Sequence, residues 1–181
     1  MTILKLFKNQ LLSVLAVHFL QPIQMGMLFE FASLINRESS MWIRTHSKVY
    51  ADICKKKVWQ LWQDVNNWEN WHDDIEYCKM SGTFVVGNQF VLKPDSGPEV
   101  NIELTEINEN VGFTDCTKFF GARMYDKHLL EETPEGLRIT NVITVTGPLK
   151  YLWVKLVANN VAKSHPQEMD KLASLARSDS N

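Results

Sequence analysis

The chain has 181 residues, 45% of them hydrophobic and 22% charged, which is enough apolar material for a self-sufficient core and too much for a disordered chain. A formal net charge of −2 excludes a nucleic-acid footprint, and the one basic run, Lys55-Lys56-Lys57, is too short for a nucleic-acid or lipid patch. The three cysteines, Cys54, Cys78 and Cys116, are odd in number, widely spaced and without a CxxC pair. That argues against a zinc site of the usual spacing and for small buried apolar residues in a reducing compartment, the cytoplasm.

Residues 1–40 read as an extension. Lys5 and Lys8 precede the apolar run Leu11 to Leu20, a weak export-signal pattern, but Gln21-Pro22-Ile23-Gln24 follows where a small-x-small cleavage site belongs. The run is also short of the ~20 apolar residues of a membrane span. The readings are an amphipathic membrane-surface or partner helix, a poor export signal, or upstream sequence ahead of a native start at Met41. The last is favoured, because strand patterning begins at Met41-Trp42-Ile43.

Trp42 to Tyr50 alternates as a first strand, with Ile43, Thr45, Ser47 and Val49 on one side. Asp52 is placed to cap a helix from about Cys54. Val58, Leu61, Trp62 and Val65 then fall at i, i+3, i+4, i+7, one helical face. Asn66-Asn67 breaks the pattern, and Trp68 and Trp71 follow on a second short turn. Four of the six tryptophans lie in this stretch. Trp59 and Trp62 read as core. Trp68 and Trp71 read as core or as the aromatic wall of a pocket.

His72-Asp73-Asp74 is a polar loop. A zinc reading of it fails, since neighbours in sequence do not easily converge and no further ligands are spaced to help. Strands follow at Ile75 to Met80, Gln89 to Lys93, Val100 to Leu104, Val111 to Lys118, Arg123 to Leu130 and Leu137 to Val145, with turns at Phe84 to Gly87, Pro94 to Pro98, Glu109-Asn110, Gly121 and Thr133 to Gly136. From Pro148, placed in a first helical turn, an apolar stripe of Val154, Val157, Val161, Met169, Leu172 and Ala176 marks a long helix. Pro166 should kink it or start a new segment. Residues 178–181 are a frayed tail.

Short turns between consecutive strands imply an antiparallel sheet, and the long C-terminal helix is its natural cover. With the apolar faces inward, Phe113, Asp115 and Thr117 share a face. So do Met124, Asp126, His128 and Leu130, and so do Leu137, Ile139, Asn141, Ile143 and Val145. Asp115, Asp126, His128 and Asn141 therefore point inward. Buried polar groups need partners, so either they bond one another inside a wet cavity or one face is misassigned by a residue.

The run Val58 to Trp71 is similar to the "VW-x-LW-x-D-V-x-x-W-x-x-W" opening of the START-like superfamily, also called SRPBCC, and most to its polyketide cyclase/dehydrase-like branch. His128-Leu129-Leu130, Gly136-Leu137-Arg138-Ile139-Thr140 and Thr146-Gly147-Pro148-Leu149 agree with it. The resemblance spans roughly residues 41–177. It implies an α+β helix-grip fold: a curved seven-stranded antiparallel sheet around a long C-terminal helix, with two short helices after the first strand.

Two functions of different class fit. One is a carrier or sensor binding a small hydrophobic or aromatic molecule between sheet and C-terminal helix, with Trp68, Trp71, Asp115, Asp126, His128 and Asn141 as the site. The other is a cyclase/dehydratase-like enzyme using His128 and Asp126 as an acid–base pair in the same cavity. No phosphate loop, dinucleotide fingerprint or nucleophile elbow is present, and no cofactor or metal is expected. Membrane contact through residues 1–40 is possible but not favoured.

Overall fold

The computed structural model describes residues 41–178, so the expectations for residues 1–40 and for the tail beyond Ser178 lie outside the described residues. Strand β1 (Met41–Tyr50) is followed by helix α1 (Lys55–Gln63) and a 3₁₀ segment, Val65–Asn70. Six strands come next: β2 (Ile75–Met80), β3 (Gln89–Pro94), β4 (Val100–Asn108), β5 (Gly112–Phe119), β6 (Ala122–Thr133) and β7 (Gly136–Thr146). The chain ends in α2 (Lys150–Trp153), a π-helical segment (Val154–Ala158) and α3 (Asn159–Ser178). Among the described residues no helix is long and apolar enough to cross a membrane.

The strands form one seven-stranded antiparallel sheet in the order β1-β7-β6-β5-β4-β3-β2. Each of β2 to β6 pairs with the strand that follows it, and the last strand, β7, also pairs with the first, β1. Strand β7 shows why the faces are fixed: Leu137, Ile139, Asn141, Ile143 and Val145 are buried while the residues between them are only half-buried. A one-residue slip would turn all five outward. Pairing is irregular between Leu104 and Glu106 on β4, a bulge-type shift of the kind that bends a sheet. Gly112 at the start of β5 is obligatory: a Cβ there would sit 2.2 Å from the backbone oxygen of His128. That close approach lays β5 tightly against the part of β6 that carries the polar residues discussed below.

Helices α1 and α3 cover the inner face. The larger apolar cluster joins Val58, Trp59, Trp62 and Val65 to Phe90, Leu104, Phe113, Leu130 and Ile139, and to Met169, Leu172 and Ala176 of α3. Trp59 and Trp62 are core, as their spacing predicts, and Trp62 meets Phe113 edge-on at 5.4 Å. A smaller cluster at the other end holds Met124, Ile143, Val145, Val154 and Ala158. The break at Asn66-Asn67 has a mechanism. Asn66 bonds both backbone groups of Met80, donating to its oxygen at 3.2 Å and accepting from its N–H at 2.8 Å, while Asn67 donates to the Asp64 carboxylate.

Four local expectations are corrected. Asp52 does not cap α1; it takes a left-handed turn conformation, φ 59°, which Asp tolerates, and Cys54 occupies the cap position without a side-chain bond. Cys54 is exposed, unlike Cys78 and Cys116. Pro148 lies in the turn before α2, which begins at Lys150. Of the two outcomes expected at Pro166, a new segment is the one overturned: α3 runs through it as one helix.

Candidate functional site

Antiparallel register sets the site. Across β6 and β5, His128 stands opposite Phe113 and Asp126 opposite Asp115. Across β6 and β7, His128 stands opposite Asn141, and across β7 and β1, Asn141 stands opposite His46. Four of the residues predicted from the sequence, Asp115, Asp126, His128 and Asn141, thus meet on the inner face, all largely buried. His128 Nε2 lies 3.7 Å from Asp115 Oδ2 and 3.7 Å from Asp126 Oδ1. Those distances give charge attraction but are too long for direct hydrogen bonds. The imidazole is stacked on Phe113, centroids 4.3 Å apart, with Trp62 at its edge, 5.6 Å away.

The closing partner comes from the helix. His165 of α3, 2% exposed, donates from Nε2 to Asp126 Oδ2 at 3.0 Å. The result is a buried row, Asp115–His128–Asp126–His165, that crosses from sheet to helix. Its charges follow from neighbours. Burial pushes the Asp115 carboxyl up to about 6; His128 restrains the shift and the facing Asp126 adds to it. Burial would raise Asp126 too, but His128 and His165 hold it below the usual carboxylate range. Burial would lower His128, and Asp126 and Asp115 outweigh it, so its pKa is raised. Two facing carboxyls that do not ionise alike, with the His128 imidazole between them, form an acid–base set.

Three polar atoms on this face are buried without hydrogen-bond partners: Asp126 Oδ1, Asn141 Oδ1 and His46 Nε2. Trp68 and Trp71 stand farther along, each 5% exposed. Trp68 donates from Nε1 to the Trp62 oxygen at 3.1 Å and reaches the row through Phe113. Trp71 packs on Trp68 and on His72. A concavity of about 340 Å³ lies elsewhere, where Gln89, Glu103, Cys116 and Lys118 line it, and it touches none of the six predicted residues.

A second polar cluster borders the first. His72 Nδ1 lies 3.3 Å from Glu168 Oε1 and 3.9 Å from Asp74 Oδ1. The argument that His72 and Asp74 do not converge is therefore corrected: the turn at Asp73-Asp74 brings residues i and i+2 to one side, and Glu168 arrives from α3. His165 and Glu168 were missed in the sequence, as was His46. Their signal was present. His165 extends the stripe of Val161, Met169 and Leu172 at helical spacing, and a histidine on an apolar helix face needs a partner on whatever that face covers.

No family model matches the chain, and no curated protein matches it by sequence. Its fold does have counterparts among solved structures. The di-domain ARO/CYC protein StfQ from the steffimycin biosynthetic pathway aligns with a TM-score of 0.66, with 7% identity over 80% of this chain and 53% of its own. The hypothetical protein jhp0584 from Helicobacter pylori aligns at 0.61, with 17% identity over 75% of this chain and 88% of its own. Norcoclaurine synthase from Thalictrum flavum, solved with dopamine and hydroxybenzaldehyde, aligns at 0.58, with 14% identity over 78% and 90%. With the curled antiparallel sheet and the long C-terminal helix, the described residues have the α+β helix-grip fold that these solved structures share.

Proposed function

We propose that this chain binds a small, largely apolar or aromatic molecule carrying a polar group, between the sheet and α3, as a carrier or sensor in the cytoplasm. One observation carries the reading: Asp126 Oδ1, Asn141 Oδ1 and His46 Nε2 are buried without hydrogen-bond partners on one face of an otherwise aromatic core. Native cores rarely leave such atoms unsatisfied, because each costs about 1–3 kcal/mol. A ligand donor placed among them would satisfy several at once, while Phe113, Trp62 and Trp68 supply apolar contact. The shared fold with a norcoclaurine synthase solved with two small aromatic molecules supports the ligand class.

The test is native mass spectrometry of the purified chain for a co-purifying small molecule, followed by calorimetric titration of that molecule into the parent, His128→Ala and Asn141→Ala. Weakened binding with circular dichroism and melting retained supports the reading. Unchanged affinity in both variants overturns it. A second reading rests on His128 standing between Asp115 and Asp126, the set a cyclase/dehydratase needs to take and return a proton. In that case His128→Ala abolishes turnover while binding persists.

A further inference from the structure

The loop between the 3₁₀ segment and β2 is fastened to α3 by three side chains in a row. Asp73 accepts from Gln167 Nε2 at 2.5 Å and from Lys171 Nζ. His72 faces Glu168, and Asp74 lies beside them. The Asp73 contacts alone would hold the loop, so the His72–Asp74–Glu168 grouping is not needed as a clasp. It is also unbalanced: two carboxylates share one imidazole. A cation among the three would relieve the repulsion that the imidazole leaves.

We propose that His72 Nδ1, Asp74 Oδ1 and Glu168 Oε1 form a binding site for one first-row divalent metal ion, with zinc(II) the best-fitting member. The one-nitrogen, two-oxygen donor set is a type that zinc accepts, with bonds of about 2.0–2.2 Å. In a tetrahedral site such bonds place ligand atoms about 3.4 Å apart. The donor atoms here lie within 4.8 Å of one another, with His72 to Glu168 at 3.3 Å and His72 to Asp74 at 3.9 Å. The Asp74 side must close, by roughly half an ångström toward His72 and from a separation within 4.8 Å toward Glu168, and its side chain is the exposed one of the three. The His72 side is braced: Trp71 packs against its ring, centroids 4.0 Å apart. Three protein donors leave a fourth position for water, the donor count of zinc sites that do chemistry rather than of closed structural ones. The inference does not depend on ligand binding under the sheet.

The experiment uses the untagged full chain, stripped with EDTA and titrated calorimetrically with zinc(II), with native mass spectrometry for stoichiometry. One equivalent should bind, and the melting temperature should rise with zinc, since a ligand that prefers the native state stabilises it. Asp74→Asn should weaken binding by roughly 10- to 100-fold, at least what an outer-shell change costs, while its metal-free melt matches the parent. Cobalt(II) should quench tryptophan fluorescence in the parent, through Trp71 beside His72, and not in Asp74→Asn. Failure to bind one equivalent overturns the proposal. So does equal affinity of parent and Asp74→Asn, which would place the metal on other histidines, or quenching that is the same in both.

Discussion

At the scale of single residues, the buried row makes stability depend on pH in a defined direction. The Asp115 carboxyl is pushed up to about 6 in the native state against a usual 3.8, so the native state holds a proton that the unfolded chain gives up. Its effect on stability is most favourable below about pH 4 and declines as pH rises to 6. His128 is raised above its usual 6.5, so its contribution is complete below that value and is lost as pH climbs through the native value. Asp126 and Glu168 are lowered, and their contributions are present above the usual 3.8 and 4.5 and are lost in stronger acid. Urea melts across pH 4 to 8 should therefore show stability falling from the acidic side toward neutrality. Asp115→Asn should flatten the lower part of that fall; an unchanged profile would show that Asp115 ionises as it does in the unfolded chain. At fixed pH near 6, Asp126→Asn should cost about 3 kcal/mol, because His128 loses a buried neighbouring charge and His165 loses its carboxylate hydrogen-bond acceptor. A cost below about 0.5 kcal/mol would rank the pair with exposed salt bridges. Trp62→Ala should cost about 3–5 kcal/mol in the same melts, since Trp62 is 1% exposed and touches Trp59, Phe113 and His128.

At the scale of elements, α3 tolerates a residue that helices normally reject. Pro166 lies inside Asn159–Ser178 and cannot donate to the carbonyl of Ala162. The π-helical segment just before it, Val154–Ala158, already departs from regular pitch. Pro166→Ala should stabilise the protein by about 2 kcal/mol, the helix-interior penalty of proline less its advantage in restraining the unfolded chain. A loss of stability in thermal melts would mean that the ring is packed, or the helix shaped, in a way alanine does not reproduce.

The elements also show what is legible in a sequence of this kind and why. Strand β7 was readable because its alternation from Leu137 to Val145 is unbroken, and that same alternation pointed Asn141 inward. His128, Asp126 and Asp115 followed by the same rule, since faces are a local property. Their partners were not readable. His165 lies 39 residues from Asp126, and Glu168 is distant in sequence from His72; only the seating of α3 on the sheet and loop brings them together. Asp52 misled for a local reason: a residue suited to capping is equally suited to a left-handed turn, and the backbone after Tyr50 uses the second property.

At the scale of the whole molecule, the question is whether residues 41–181 fold without what precedes them. Each strand finds its partners inside that span, beginning with Met41 opposite Thr146 and ending with Thr133 opposite Gly136. The aromatic contacts that build the core, from Trp59 with Phe84 to Trp68 with Phe90, also lie wholly within it. The far end of the sheet is closed by Trp153 stacked on Phe119 at 4.2 Å. Residues from Ser40 onward form a compact unit of their own. A chain starting at Met41 should therefore be monodisperse and melt cooperatively, within a few degrees of the full chain, a difference equal to less than about 1 kcal/mol for a domain this size. Its zinc(II) titration and its retention of any co-purified molecule should match the full chain as well, because His72, Asp74, Glu168 and the Asp115–His165 row are all kept. Aggregation, or a melt lowered by more than about 10 °C, would assign residues 1–40 a place in the core; a normal melt with ligand lost would assign them to the binding site instead.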